Sequence, residues 1–366
     1  MDPHGPTARR FPLVARFRPA CLPLPERVQA LVALADTAHS TGAQGTASAV
    51  FNQAALIASD TGLPELARTV CHRHAAAYLH ACPLPSMTAI RALEPVVNLA
   101  RLQIRAGNGD DGRERLLRLY HTVRQDTEAR FENITIPAGL VATPGSREEV
   151  RRWLWRVILA DGARTLTTAG RWTEALAHVE EHHGVGKRMF DGRQIAILAT
   201  LAAGTPDGTA ALLMQTEPGE PWEQAVTGAL TVLCRQAAHR PVAHHLSELE
   251  HTYLTHQAGH GTTVFDIRLG LTVLDTIGTP TPAAHRITED LFRRTTAAND
   301  GYAAREVLSH PQFTELATPQ QAQHCRDLVQ ACALGRGTLP ANLRDDLAEA
   351  LNVADHVIRR SLEAVT

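Results

Sequence analysis

Aromatic residues are scarce in this sequence, where they fill 4% of 366 positions. Alanine and leucine are abundant instead. This composition favours close-packed helices over a β-sandwich, whose strands are rich in aromatic and β-branched side chains. No segment shows the alternating pattern of a half-buried strand. We therefore predict an all-α fold.

A strong charge of one sign and long apolar runs are also missing. The net charge is −2, which excludes binding to nucleic acid or an anionic membrane through a broad positive surface. No run reaches the ~18 apolar residues of a membrane-spanning helix, and the N-terminus lacks a signal peptide's apolar region, so we expect a cytoplasmic protein. Lys187 is the only lysine. The preference for arginine, with the high alanine content, is typical of actinobacterial proteins.

The motifs of common cofactor-dependent enzymes are absent as well. The sequence has no G-x-x-x-x-G-K-[ST] phosphate loop, no complete dinucleotide-binding glycine motif and no G-x-S-x-G nucleophile elbow. Its six cysteines have no C-x-x-C spacing, so we expect buried free thiols instead of disulfides or a zinc site. The sequence thus favours a non-catalytic protein without a cofactor.

Proline and glycine divide the chain into four parts. Residues 1–25 are rich in proline and arginine and are predicted to form an extended arm outside the core. Residues 26–130 and 147–366 have the periodicity and turn signals of successive helices with short connections. Residues 131–146 interrupt that pattern, and we predict an ordered loop or short hairpin there, at the boundary between two halves.

A helix corner with small residues on both sides lies near the middle of the chain. Gly170 is predicted to end one helix in the left-handed conformation, Trp172 to cover the join, and Ala163 and Ala175 to let the helices approach closely. With the apolar Leu166, these positions resemble a tetratricopeptide repeat, and residues 51–67 resemble a second copy. The resemblance implies an α-solenoid of antiparallel helical hairpins.

The same resemblance implies a binding function. Chains of this kind look like accessory proteins of peptide-modifying enzymes in natural-product pathways, or like ligand-sensing parts of transcription regulators. The proline-rich opening cannot form the helix-turn-helix of a regulator, so we favour a scaffold that binds a peptide or a protein such as a biosynthetic enzyme, without direct contact to nucleic acid or membrane. A regulator without its own DNA-binding domain is the alternative. Hydrophobic repeat ends could also form a homodimer.

Two asparagines in the middle of predicted helices are candidates for the binding surface. Asparagine is a poor helix former, and Asn52 and Asn98 could clamp an extended peptide backbone with their amide groups. The alternative is that both are ordinary exposed or internally paired polar residues. Five further residues are predicted to line the same groove: Arg73, Trp155, Lys187, Arg193 and Gln194.

One short motif suggests a metal-dependent hydrolase as a third possibility. His178, Glu181 and His182 fit the H-x-x-E-H pattern, in which two histidines four positions apart hold zinc and the glutamate activates water. A downstream carboxylate such as Glu248 or Glu250 would have to complete the site. Because the chain has 19 histidines, such a pattern arises easily by chance, and we expect no metal here.

Overall fold

The computed structural model describes residues 2–363, and within them the elements are helical except for one two-stranded hairpin. The all-α prediction is confirmed. The chain forms two compact units: unit 1 comprises Met1–Leu22 and Ala163–Cys332, and unit 2 comprises Pro23–Gly162 and Ala333–Thr366. Neither unit is continuous in sequence. The division falls after Gly162, whereas the loop predicted to separate two halves, residues 131–146, lies inside unit 2.

Unit 2 is built from long helices joined by short turns. Its elements are α2 (Leu24–Thr41), α3 (Gln44–Asp60), α4 (Pro64–Leu79), α5 (Ser86–Arg105), α6 (Gly109–Gln125), β1 (Ala129–Phe131), β2 (Ile134–Ile136), α7 (Pro144–Val157), a π-helical segment (Ile158–Gly162) and α19 (Ala341–Glu363).

Each helix from α2 to α7 packs against the next, and α5 also contacts α3 and α7. The last helix, α19, returns to pack against α2, α3 and α4. Phe51, Leu93 and Ile358 are completely buried in the shared core. Helices α3, α5 and α7 therefore lie side by side, which is the arrangement that positions the candidate site.

The segment predicted as an ordered loop or short hairpin contains a hairpin that begins slightly earlier. β1 and β2 pair antiparallel, with Phe131 opposite Ile134, and both side chains are buried. Each strand has three residues, too few to produce a recognisable alternation. The hairpin packs against α4 and α6, so it belongs to the core of unit 2.

Unit 1 contains the remaining helices, most of them shorter. They are α1 (Pro6–Arg10), α8 (Ala163–Thr168), α9 (Trp172–Glu181), α10 (Asp191–Ala202), α11 (Pro206–Met214), α12 (Pro221–Ala237), α13 (Ala243–Thr255), α14 (Thr263–Ile277), α15 (Pro282–Ala298), α16 (Gly301–Leu308), α17 (Pro311–Leu316) and α18 (Pro319–Ala331). From α8 to α17 each helix packs on the next, and α18 packs on α16; α12 and α14 each contact the helix two places along as well.

The N-terminal segment was predicted to be an extended arm outside the core, and it differs from that expectation. Residues 11–23 have no regular secondary structure, as expected from their prolines. However, Phe11, Leu13 and Cys21 are buried, and α1 contacts α8 and α14. Proline prevents regular structure but does not prevent burial, so this segment forms part of the core of unit 1.

The predicted corner has the expected backbone. Gly170 has a φ of +72°, and Ala163 and Ala175 are fully buried beside it. The Trp172 side chain is buried, and its Nε1 donates to the Pro3 carbonyl oxygen at 2.9 Å. The tryptophan therefore covers the join and also fixes the N-terminal segment.

The helical stretch that begins with α7 and continues into α8 is interrupted by the π-helical segment, where the two units divide. An extra residue per turn shifts the side chains that follow it relative to a regular α-helix. No helix within residues 2–363 has both the length and the apolar content needed to cross a bilayer.

Candidate functional site

A continuous chain of polar side chains crosses three neighbouring elements of unit 2. We call it the polar stripe; its members are Ser48 and Asn52 of α3, Glu94, Asn98 and Arg101 of α5, and Asp161 of the π-helical segment. The spacings of four positions on α3 and of four and three positions on α5 place each set on one helical face.

Hydrogen bonds connect the members of the stripe in order. Asn52 Nδ2 donates to Glu94 Oε2 at 2.6 Å, and Asn98 Nδ2 donates to Asn52 Oδ1 at 3.0 Å. Arg101 Nη1 donates to Asn98 Oδ1 at 3.1 Å, and Arg101 Nε donates to Asp161 Oδ2 at 2.9 Å. The two asparagines predicted to share a binding surface are therefore in direct contact.

The charged groups fix the orientation of both amides. An ionised Glu94 only accepts hydrogen bonds, so Asn52 must turn its NH₂ group toward it and its oxygen toward Asn98. Arg101 only donates, so Asn98 must present its oxygen to the guanidinium. The stripe therefore has a defined direction, and hydrogen bonds in such a chain strengthen one another.

Glu94 is the partly buried carboxyl group of the polar stripe, and its surroundings have opposing effects on its charge. Its partial burial raises the pKa of the carboxyl above the usual value of 4.5, although hydrogen bonds from Asn52 and Ser48 and the charges of Arg91 and Arg101 act in the opposite direction. The neighbouring donors and positive charges therefore stabilise the ionised carboxylate, whereas desolvation destabilises it.

The inner end of the stripe is an uncharged imidazole. Ser48 Oγ lies 3.3 Å from Glu94 Oε2 and 2.9 Å from His74 Nε2. Complete burial lowers the pKa of His74 to about 3, and its ring stacks on Phe51 with centroids 4.8 Å apart. The neutral ring can donate to Ser48 while Ser48 donates to Glu94, which leaves the stripe with a buried inner end and a partly exposed outer end at Arg101 and Asp161.

Two irregularities of helix geometry lie along the stripe. Pro95 follows Glu94 inside α5, and it removes the backbone hydrogen bond that an ordinary residue would donate to the carbonyl of Arg91. Asp161 belongs to the π-helical segment. Such departures from regular helix reduce stability unless something compensates for them, and π segments are frequent at functional sites.

The asparagines keep unused hydrogen-bonding capacity. Within residues 2–363, each amide uses one of its two N–H groups and one position on its oxygen. Both side chains are half-buried and so remain accessible from one side. Each can offer one donor and one acceptor to a ligand, which is the complement of a peptide group.

Of the other predicted groove residues, two lie in unit 2 but outside the hydrogen-bonded stripe. Arg73 Nη2 donates to the Leu351 carbonyl at 3.1 Å and to Asn352 Oδ1 at 2.9 Å, so it connects α4 with α19. Trp155 of α7 is half-buried against the core. Both residues have structural contacts that the local sequence does not reveal.

The remaining three predicted groove residues belong to unit 1. Arg193 is buried and donates to Thr216 Oγ1 and the Leu212 carbonyl, and burial lowers its pKa. Gln194 is fully buried, accepting from the Leu13 N–H at 2.7 Å and donating to the Leu13 carbonyl at 2.6 Å. Both therefore hold unit 1 together instead of lining an open surface. Lys187 is exposed, with its Nζ 3.4 Å from Glu217 Oε1.

The histidine motif does not form a complete ligand set. His178 is buried in α9, its ring centroid lies 4.9 Å from that of His182, and Glu181 is exposed. Across residues 2–363 no group of three histidine, cysteine, aspartate or glutamate side chains is arranged to hold a metal ion. Neither Glu248 nor Glu250 joins the histidines of this motif in such a group.

Four members of the stripe were not among the predicted site residues: Ser48, Glu94, Arg101 and Asp161. The spacing from Ser48 to Asn52 and from Glu94 to Asn98 and Arg101 is visible in the sequence and would have shown that each set shares a helical face. The π-helical segment, which brings Asp161 to Arg101, has no such signal.

Comparisons with known proteins give no relative from which a role could be transferred. No family model, curated protein or solved structure matches this chain. The resemblance to a tetratricopeptide repeat therefore rests on its matching residues alone, and any function has to follow from the geometry of the site.

Proposed function

We propose that this chain is a non-catalytic helical-repeat protein that binds an extended peptide or protein tail along the polar stripe. The observation that carries the proposal is the Asn52–Asn98 amide pair, which is fixed in orientation and retains one donor and one acceptor on each residue. An extended backbone offers donors and acceptors of the same kind.

The helix contacts of unit 2 support our proposal that this region is a short solenoid of stacked helical hairpins. Each of α2 to α7 contacts its successor, and α5 contacts α3 and α7, as expected for stacked hairpins whose first helices line one surface. In this reading Asn52 and Asn98 are equivalent positions of two neighbouring hairpins. Arg101, whose side chain is 46% exposed, would add a charge-assisted bond to a carboxylate of the partner.

The accessory role beside a peptide-modifying enzyme, and the actinobacterial setting, are part of the same proposal and rest on the sequence resemblance. The metal-dependent hydrolase has no comparable support, since its proposed ligands do not converge within the described residues. A scaffold that presents a peptide to a partner enzyme is the most specific form of the function that we put forward.

Selection of peptides from a displayed random library against the purified full-length protein tests this function. Affinities of the selected peptides are then measured for wild type, for Asn52→Ala/Asn98→Ala and for the matched control Asn342→Ala, which changes an exposed asparagine of α19. The double variant loses up to four hydrogen bonds to the peptide, each of about 0.5–1.5 kcal/mol. Loss of even two of them should weaken binding at least about 5-fold, in the double variant only.

Circular dichroism should show the same helicity for all three proteins. Equal affinities for the double variant and the control would contradict the proposal, as would a library that yields no binding peptide. Arg101→Glu provides a second test, because it should reverse the preference for acidic peptides. Arg193 is unsuitable for such a test, since reversal of its buried charge would disturb folding.

A further inference from the structure

A cavity in unit 1 has a different chemical character from the polar stripe of unit 2. It has a volume of about 410 Å³, and its lining includes His4, Arg9, Arg10, Arg268, Glu306 and His310. These residues come from the N-terminal segment, from α14 and α16, and from the residue before α17. We call this cavity the arginine pocket.

Arg10 is held in the wall of the pocket with little access to water. Its side chain is 10% exposed and pairs with Asp275, and its Nε donates to Thr272 Oγ1 at 3.3 Å. Burial lowers the pKa of Arg10 to about 10; the charge of Glu306 opposes this shift, and the smaller effect of Arg268 adds to it. Arg10 and Arg268 thus lie near each other in a partly dehydrated place, each paired with a carboxylate, and a bound anion would offer further acceptors to their N–H groups.

The carboxylates near the pocket are already occupied. Asp275 accepts from Thr7 Oγ1 at 2.5 Å and from His310 Nε2 at 3.0 Å, in addition to pairing with Arg10. Glu306 accepts from Arg268 Nη2 at 2.5 Å. Burial alone would raise the pKa of Glu306, but the charges of Arg268, Arg305 and Arg164 outweigh it and the pKa is lowered. Glu306 therefore stays ionised and balances the charge of Arg268, its partner in the ion pair.

His310, at the wall of the pocket, is uncharged near neutral pH and so does not change the charge of the pocket. Burial lowers the pKa of His310 to about 4, and its Nδ1 accepts from the Phe313 backbone N–H at 3.3 Å. Its other nitrogen therefore carries the proton that it donates to Asp275. Arg9, by contrast, is exposed at the rim, and its side chain has no hydrogen bond or ion pair within residues 2–363.

We propose that the arginine pocket binds the phosphate group of a small phosphorylated ligand, or free phosphate, through Arg9, Arg10 and Arg268. Guanidinium groups match the oxygens of a phosphate with paired N–H donors. Asp275 and Glu306 balance the charges of Arg10 and Arg268, so Arg9 provides the unbalanced positive charge. The three guanidinium groups together offer more N–H donors than a single carboxylate can accept. The volume of about 410 Å³ exceeds that of phosphate alone, so the group can carry a small organic substituent. This site lies in unit 1 and does not depend on the peptide-binding proposal.

Thermal unfolding and calorimetric titration of the full-length protein with inorganic phosphate, pyrophosphate and phenyl phosphate test the inference. Sodium chloride at equal ionic strength and succinate serve as comparison ligands. We expect saturable binding with one site and a rise in Tm of at least about 2 °C at millimolar phosphate, because a ligand that binds only the folded state stabilises it. Succinate should bind at least about 5-fold more weakly, since it offers no phosphate oxygens.

Two variants distinguish phosphate binding at the pocket from a general effect of positive charge on the protein. Arg9→Gln removes the cation that has no described partner, so it should leave the fold intact and weaken phosphate binding at least about 5-fold. Arg156→Gln, at an exposed arginine of unit 2, removes the same charge elsewhere and should have no effect. Binding of none of the three phosphates beyond the chloride control, tighter binding of succinate, or equal weakening by both variants would each overturn the proposal.

Discussion

Glu94 illustrates how a single residue of the polar stripe is kept in an unfavourable charge state. Burial raises its pKa, and the hydrogen bonds from Asn52 and Ser48 only partly offset that effect. The folded protein therefore keeps the Glu94 proton up to a higher pH than the unfolded chain does. Raising the pH through that range, upward from about 4.5, makes this residue favour the unfolded state.

Glu94→Gln should remove this contribution. We expect the variant to become more stable relative to wild type as the pH rises from about 4 to about 7. Its free energy of unfolding should increase relative to that of wild type, because only wild type has an ionisable group at position 94. Urea unfolding at several pH values measures the difference.

Glu94→Leu separates titration from hydrogen bonding. It also lacks the carboxyl but leaves the amide of Asn52 without an acceptor, so it should be less stable at every pH while showing the same pH trend relative to wild type. A difference between wild type and Glu94→Gln that stays constant over this range would show that Glu94 does not titrate as inferred.

At this scale, two of the residues predicted to share a groove are in direct contact in the structure, whereas others lie elsewhere in the chain's core. Asn52 and Asn98 could be selected because helical periodicity and their poor helix propensity are local properties. Arg193 and Gln194 were also selected, but their partners Leu212 and Leu13 are set by tertiary packing. A list of residue types cannot distinguish a polar group that is free from one already paired.

Among the elements, α14 has a glycine whose role depends on its neighbours. A Cβ at Gly270 would overlap the Tyr253 hydroxyl and lie 2.8 Å from Leu291 Cδ2, and both of these side chains are fully buried. Gly270 thus allows α14 to approach α13 and α15 closely. In α12, a Cβ at Gly228 would meet only Leu249 Cδ1, at an ordinary distance of 3.5 Å.

These two glycines should respond oppositely to alanine. Gly270→Ala should destabilise the protein by about 1–3 kcal/mol because the core cannot make room. Gly228→Ala should stabilise it by about 0.5–1 kcal/mol, the usual gain in a helix interior. Denaturant unfolding of both variants measures the effects. A gain at Gly270 would mean that α14 is packed less closely than described.

The existence and type of the long helices could be predicted because their turns are marked by glycine and proline, as at Gly170. The sequence left open whether residues 131–146 form a loop or a short hairpin, and the π-helical segment could not be predicted at all. Three-residue strands are too short for a periodic pattern, and a π segment differs from an α-helix by one residue in one turn. The buried position of the N-terminal segment was missed because its composition resembles that of disordered chains.

At the scale of the whole molecule, each unit is assembled from two separate stretches of the chain. A substitution in the core of one unit should therefore change hydrogen-exchange protection in two stretches that are far apart in the sequence. Ile358 of α19 and Leu291 of α15 are both fully buried, the first in unit 2 and the second in unit 1.

Ile358→Ala and Leu291→Ala should each cost about 2–5 kcal/mol. Hydrogen exchange should increase over residues 23–162 and 333–363 in the first variant, and over residues 2–22 and 163–332 in the second, if the units open as separate cooperative blocks. Mass spectrometry of peptic fragments reads out this pattern. An increase spread evenly over the chain in both variants would show that the two units unfold as one.

The interleaved organisation was beyond the reach of the sequence, which suggested a boundary at residues 131–146. Composition and turn signals report where helices end, but they do not report which distant helices pack together. The contact of α19 with α2 and α3 depends on complementary apolar faces, and most helices in this chain have such a face.

The return of α19 also has a consequence for synthesis on the ribosome. Gln44 Nε2 and Ser361 Oγ, which are hydrogen-bonded at 2.9 Å, are 317 positions apart in the chain. At ~5–20 residues per second, α3 emerges from the exit tunnel about 15–60 s before the helix that covers it. During that interval a nascent chain exposes apolar surface with no native partner, which makes it a substrate for chaperones that bind during translation.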